Sequence, residues 1–250
     1  MPDTASYPEP YSRTLVFSGV VAYHEAESKA AKPWLEQALA FARVHSDPDI
    51  AAWALDFLGL IAIQEGALDL AREYLMESRA IFEKLGPIGC YAQAIWHLGL
   101  VTEHEGDYKA ALTYYDLALN LFRKCADVTR PSGVLRMMGW NYYELGDREH
   151  GQEFYKKSFF VAMENGHKVE AAHTLRAIAE RLESDPRLAV VLLSACVSQF
   201  HSLGLTTYEN TVLDQDIVKC RSQLVPSTFN AAWEAGRSMT LERAISETSI

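Results

Sequence analysis

What this chain lacks narrows its function before any motif is weighed. Its 250 residues contain four cysteines, at Cys90, Cys125, Cys196 and Cys220. No two stand at the close spacing of a zinc knuckle, and nothing suggests a disulfide framework. Lys and Arg number 23 against 33 Asp and Glu, for a net charge of −10. That balance argues against direct nucleic-acid binding, which needs clustered cations to meet the phosphates. Long hydrophobic runs are also missing. The longest apolar-rich stretch, "LAVVLLSACV" from Leu188 to Val197, is about half of the ~20 residues that a membrane span needs. The opening "MPDTASYPEPYSR" has no basic lead and no apolar core, unlike a secretory signal. These features predict a cytoplasmic protein without membrane contact, with residues 1–11 disordered or extended.

Chemical signatures are equally scarce. There is no G-x-x-x-x-G-K-[ST] phosphate loop, and no nucleophile-elbow, kinase or deaminase motif. The most suggestive stretch is "LVTEHEGDYKAAL", which sets His104 between Glu103 and Glu105, with Asp107 just beyond. The zinc-protease motif requires a second histidine four residues on, and none is there. Neighbouring residues also point in different directions around a helix. The stretch reads as a solvated helix end, so no catalytic residue, metal or cofactor is expected, and no enzyme activity.

What the chain does have is a period. Gly19, Gly59, Gly99 and Gly139 recur every 40 residues. Twelve residues past each stand Ala31, Ala71, Ala111 and Gly151, all small. Four further on are the large residues Leu35, Leu75, Tyr115 and Tyr155, and three beyond those the small Ala38, Ser78, Ala118 and Ser158. Seven past each first glycine, where a turn belongs, are Ala26, Gly66, Gly106 and Gly146. A degenerate fifth unit has Ala179 at the glycine position. Its turn is two residues shorter, so Ala189, Leu193 and Cys196 take the small, large and small places. Apolar spacings of three and four within each unit are helical. No alternating stretch demands a strand. Pro33 is expected in the first turn of its helix, where a missing N–H costs nothing, and Pro186 follows Asp185 at another helix start.

The fold class predicted is all-α, a right-handed α-solenoid of antiparallel helix pairs. Five hairpin repeats cover residues 12–204, and capping helices cover 205–250, at roughly 206–223, 227–236 and 240–248. The small–large–small pattern resembles the tetratricopeptide repeat, although the period is 40 rather than about 34 and the usual closing proline is absent. Long-period repeats of this kind are similar to those in the C-terminal regions of bacterial signal-transduction ATPases and LuxR-type regulators. In the tail, Phe229, Ala232, Trp233, Gly236 and Arg237 resemble the closing segment of such regulators. The resemblance implies a sensor or interaction part of a signalling or transcription-regulatory system, without ATP hydrolysis or DNA binding. Physically the tail reads as a cap over the apolar end of the last repeat.

In helical-hairpin solenoids the first helices line the concave side. Counting six and three residues before each glycine, and one and four after it, gives the positions that face inward. Among them are Tyr23, Trp53, Asp56, Trp96, Leu100, Arg136, Trp140, Tyr143, His173 and Arg176. Three of the five tryptophans fall in this set, and Trp and Arg dominate binding hot spots. Two readings stand side by side: a groove for a protein or peptide, centred near Trp96, Arg136 and Trp140, or aromatics that fill space between neighbouring first helices. An acidic peptide segment would suit the groove. A small-molecule sensor using the same faces is the alternative function, and self-association into a homo-oligomer a third.

Overall fold

Three of the hairpin turns are built from a glycine and the residue after it. Gly66, Gly106 and Gly146 hold φ of 75°, 84° and 81°, a left-handed conformation that glycine adopts without penalty and that ends a helix. Asp107 and Asp147 then cap the next helix. Their carboxylates accept from the backbone N–H of Ala110 at 3.0 Å and of His150 at 3.2 Å, satisfying donors that a helix start leaves orphaned. The turn expected at Ala26 lies outside the described residues. The computed structural model describes residues 8–24, 28–182, 184–205 and 208–248.

Every regular element among these residues is a helix. The chain divides into two units, residues 1–127 and 128–250. The first holds α1 (Pro8–His24), α2 (Ser28–His45), α3 (Pro48–Gln64), α4 (Leu68–Leu85), α5 (Ile88–His104) and α6 (Tyr108–Lys124). The second holds α7 (Arg130–Glu144), α8 (Arg148–Glu164), α9 (Lys168–Glu180), α10 (Pro186–Ser202), α11 (Tyr208–Gln223), α12 (Pro226–Arg237) and α13 (Leu241–Ser246). Antiparallel pairs stack within each unit, and the fold class is the all-α helical solenoid that the spacing predicts. Two local expectations need correction. α1 begins at Pro8, so residues 8–11 are helical, not a disordered or extended leader. α2 begins at Ser28, so Pro33 is its sixth residue rather than in its first turn. A proline there cannot donate to the carbonyl of Lys29, one turn back; the neighbouring Lys29 and Ala30 are exposed.

The glycine register is a close-packing device. A Cβ on Gly19 or Gly59 would stand 2.6 Å from Cγ of Leu35 or Leu75, and one on Gly139 2.7 Å from Cδ1 of Tyr155. Each large residue is fully buried and lies over the glycine sixteen positions earlier, which brings the two helix backbones of a hairpin together. The fourth repeat needs glycine at a second place. A Cβ on Gly151 would meet the ring of Tyr143 at 2.5 Å, so this repeat cannot carry the alanine found at the equivalent position of the other three.

A second device uses the small position of the second helix. Ser78 Oγ donates to Ala52 O at 2.9 Å and Ser158 Oγ to Ser132 O at 2.8 Å. Cys196 Sγ approaches Ala172 O at 3.2 Å, the same register after allowance for the shorter turn. Each link ties the second helix to the backbone of the first with a buried polar group that has found its partner. The Cys196 thiol, wholly buried, has its pKa pushed up to about 12 by desolvation, which makes it an inert packing residue.

Successive repeats are also tied by charge. Lys32 pairs with Glu65 at 2.7 Å, and one period later Arg72 pairs with Glu105. Glu105 belongs to the His–Glu stretch; its place is a rung between second helix and next turn. At the C-terminal end α12 packs on α10, with Ser194 Oγ donating to Trp233 O at 2.7 Å. Gly236 lies directly against the α10 backbone at Val191. Thr240 caps α13, accepting from Arg243 N at 3.3 Å.

Candidate functional site

The inward register divides evenly between the units. In the first unit it builds a packed, largely satisfied interior. Asp56 is fully buried; its carboxylate accepts from Gln93 Nε2 at 2.8 Å and faces His97 Nδ1 at 3.0 Å. An ionisable group buried this deeply is held by such bonds, and it presents no surface to a partner. Trp53 meets Phe82 edge-on at 5.4 Å and Phe57 at 6.4 Å. Tyr23 meets Phe57 edge-on at 5.6 Å, and its hydroxyl accepts from Gln64 at 3.4 Å. Trp96 packs on Phe122 at 6.4 Å with its indole N–H buried and unpartnered, and Leu100 is half-buried against the same core. His104, by contrast, is exposed at the helix end with Nδ1 3.0 Å from Leu100 O.

The second unit gathers Arg136, Trp140 and Tyr143 from α7 with His173 and Arg176 from the neighbouring α9, all half-buried. Every arginine of this face already has an acidic neighbour. Arg136 lies 3.7 Å from Glu170, too far for a hydrogen bond, and its Nε is buried without a partner. Arg176 is gripped twice, by Glu180 and by Asp216 at 2.8 Å. Arg181, just past the end of α9, pairs with Glu144 at 3.0 Å. Its guanidinium lies over both aromatic rings of the face, 5.7 Å from the centroid of Trp140 and 5.4 Å from that of Tyr143. Tyr143 in turn stacks on Tyr155 at 5.5 Å.

Burial, more than these charges, sets the titration of the cluster. Burial, reinforced by the Arg136 and Arg176 cations, pushes the pKa of His173 down to about 4, so its imidazole is neutral near pH 7. Burial raises the pKa of Glu180, Asp216 adding to it while Arg176 pulls the other way. Tyr155 is raised well above an ordinary phenol, chiefly by desolvation.

Arg181, Glu144, Glu170 and Asp216 were not among the residues singled out from sequence. One signal could have found some of them: Asp216 stands 40 residues beyond Arg176, one full period, and Arg181 and Glu144 are 37 apart. Lateral neighbours in a solenoid are separated by about one repeat, so a charge can be paired by stepping one period along the chain. Among the described residues, no group of three or more His, Cys, Asp or Glu side chains is placed to hold a metal ion. Among the same residues, no helix is long and apolar enough to cross a membrane.

Residues 92–125, from α5 to the end of α6, match the tetratricopeptide repeat family model. No curated protein matches the chain by sequence. Several solved structures do match in fold. One is aspartyl phosphate phosphatase F from Bacillus subtilis, at 12% identity and TM-score 0.60, covering 92% of this chain and 60% of that one. Another is a Rap protein complexed with competence and sporulation factor, at 16% identity and TM-score 0.63, covering 85% and 66%. A third is a signal transduction ATPase with numerous domains and a tetratricopeptide repeat sensor, from Pyrococcus horikoshii, at 16% identity and TM-score 0.61, covering 96% and 36%. The chain thus spans less than two thirds of each of these proteins. Its fold is a tetratricopeptide-like helical repeat, similar to the folds of these proteins.

Proposed function

We propose that this chain is a non-enzymatic binding module of a signalling or regulatory system, and that it takes a segment of a partner protein on the α7–α9 face of the second unit. The observation that carries the reading is the company of Arg136, Trp140, Tyr143, His173 and Arg176, two aromatics and two guanidiniums half-buried together on adjacent first helices. Large rigid rings and arginines concentrate binding energy because they bury much area while losing little freedom. A Rap protein of similar fold is known in complex with competence and sporulation factor, which supports a recognition role for this kind of scaffold. Another structural neighbour is an aspartyl phosphate phosphatase, but Arg176 and Arg181 are each engaged by a carboxylate here, which favours recognition over chemistry.

The first-unit members of the expected groove, Trp53, Asp56 and Trp96 among them, fit the space-filling reading better, since they pack against their own repeats. The α7–α9 face is therefore where binding is assigned. Immobilised protein should capture a partner from extract of the source cell, and the doubly substituted Arg136→Ala, Trp140→Ala protein should not. Equal capture by a folded double variant would remove this face from the account. A small-molecule sensor using the same face is the second reading. It predicts instead that a metabolite, added to purified protein alone, raises the unfolding temperature.

A further inference from the structure

Where the cap meets the repeats, the second unit holds a recess of about 330 Å³ that shares no residue with the site described above. Its walls come from the end of α8, the start of α9, the C-terminal half of α10 and the chain entering α13. Such a volume lies at the lower end of small-ligand sites, roughly 300–1,000 Å³. Met163, Ala195, Met239 and Leu241 supply the apolar wall. The two methionines pack half-buried against the core, and their flexible thioethers let the wall adapt to the shape of an occupant.

The polar wall divides in two. Its hydroxyls are committed to the protein: Ser198 Oγ donates to Arg237 O at 3.1 Å, Ser202 Oγ donates to Gln199 O at 2.7 Å, and Thr240 Oγ1 accepts from Arg243 N at 3.3 Å. Its charges are not. Lys168 and Glu242 are exposed, and among the described residues neither side chain has an ion-pair or hydrogen-bond partner. Other charges of the cap have found theirs, Arg237 lying 3.7 Å from Glu234 and Arg243 4.0 Å from Glu247. A ligand of one sign would set its charge beside a like one in this recess. A ligand carrying both signs meets a counter-charge at each end.

We propose that this recess is a binding site for a free α-amino acid with an apolar side chain. Lys168 takes the carboxylate, Glu242 takes the ammonium, and Met163, Met239 and Leu241 receive the side chain. The inference goes beyond the partner-binding role of the α7–α9 face and does not depend on it. α13 packs on α9 and α10, so a ligand held by Lys168 of α9 and Glu242 of α13 ties the cap to the last repeat. Occupancy therefore protects the cap against local opening.

The test uses the full chain with methyl-labelled methionine, titrated by NMR with L-leucine and L-phenylalanine. Two analogues of leucine keep a single charge each, 3-methylbutylamine and 4-methylpentanoate. Both amino acids should shift the Met163 and Met239 methyl signals saturably. Each analogue should bind about tenfold more weakly than leucine, the scale of a lost charge-assisted bond. Lys168→Met should weaken leucine about tenfold and leave the amine analogue unchanged. Glu242→Gln should weaken leucine and spare 4-methylpentanoate. Should Glu242→Gln loosen the short α13, Lys168→Met and the two analogues still decide the question. No saturable methyl shift with either amino acid, analogues that bind as tightly as leucine, or unchanged leucine affinity in Lys168→Met overturns the proposal. Trp140→Ala should leave the titration unaltered, so this site and the α7–α9 face stand or fall separately.

Discussion

Gly99 and Tyr115 form one packing unit: a Cβ added to the glycine would stand 2.5 Å from Cε1 of the tyrosine. The ring cannot retreat, because Tyr115 is fully buried and its hydroxyl donates to Glu103 Oε2 at 2.7 Å. Gly99→Ala should therefore destabilise the protein by about 2–3 kcal/mol, the scale of core overpacking, even though alanine is the better helix former. Urea unfolding followed by circular dichroism measures this. A neutral or stabilising effect would show that the hairpin can open without cost.

The Ser158 hydroxyl lies 2.8 Å from Ser132 O and 2.8 Å from the Thr174 hydroxyl. Ser158→Ala removes these links and leaves Thr174 its bond to Glu170 O at 2.9 Å. A loss of about 1–2 kcal/mol is expected, as for a buried hydrogen bond. The residue itself is sterically acceptable, since Ala38 and Ala118 occupy the same register fully buried. Chemical denaturation of Ser158→Ala beside Ser78→Ala reads both links; no loss in either would mean they contribute nothing net.

His173 makes stability depend on pH. Its pKa in the native protein is lowered from 6.5 to about 4 by burial and by the Arg136 and Arg176 cations. Between those values the unfolded chain binds more protons than the native one, so stability rises with pH across that window. The contribution is complete above about pH 6.5 and is lost as pH falls toward 4, on the order of 2 kcal/mol in all. The raised pKa of Glu180 acts with the opposite sign, so the quantity to measure is the difference between the wild type and His173→Gln. The slope of that difference between pH 4 and 6.5 should be positive, and a flat difference would contradict the burial of His173 as a neutral base.

At the cap, Gly236 admits α12 against the α10 backbone, where an added Cβ would also stand 2.8 Å from Ser194 Cβ. Gly236→Ala must push the two helices apart and break the 2.7 Å bond from Ser194 to Trp233 O. Amide exchange in 226–246 should rise well before exchange in α9, because the substitution acts directly on the α10–α12 contact, whereas α9 packs on α7 and α8 as well as on α10. Uniform exchange across both regions would mean that cap and repeats open as one body.

The repeat was legible because a small–large contact recurs at a fixed local offset: Gly19 with Leu35 and Gly139 with Tyr155 obey one geometry, so spacing alone reveals it. The His–Glu stretch was legible as structure for the same reason, though the pairing of Glu105 with Arg72 was not. The candidate site was harder to read. Asp56 counted as inward-facing by register, yet Gln93 and His97, 37 and 41 residues on, close over it and take it out of reach. Position on a helix face does not reveal whether the neighbouring repeat supplies a lid. Arg181 escaped notice because it lies past the end of α9, where the register stops, and returns over α7 only through its long side chain. The α2 proline was misplaced although the register was there: α2 begins at Ser28, 40 residues before the start of α4 at Leu68, so Ala31 already lies inside the helix and Pro33 falls beyond its first turn.

The most direct measurement of the account is the affinity of the captured partner for the wild type and for Trp140→Ala, by isothermal titration with both proteins shown to be folded. A central aromatic anchor contributes about 2 kcal/mol or more, so truncation should weaken binding some thirtyfold. Unchanged affinity in the folded Trp140→Ala protein would contradict the assignment of binding to the α7–α9 face.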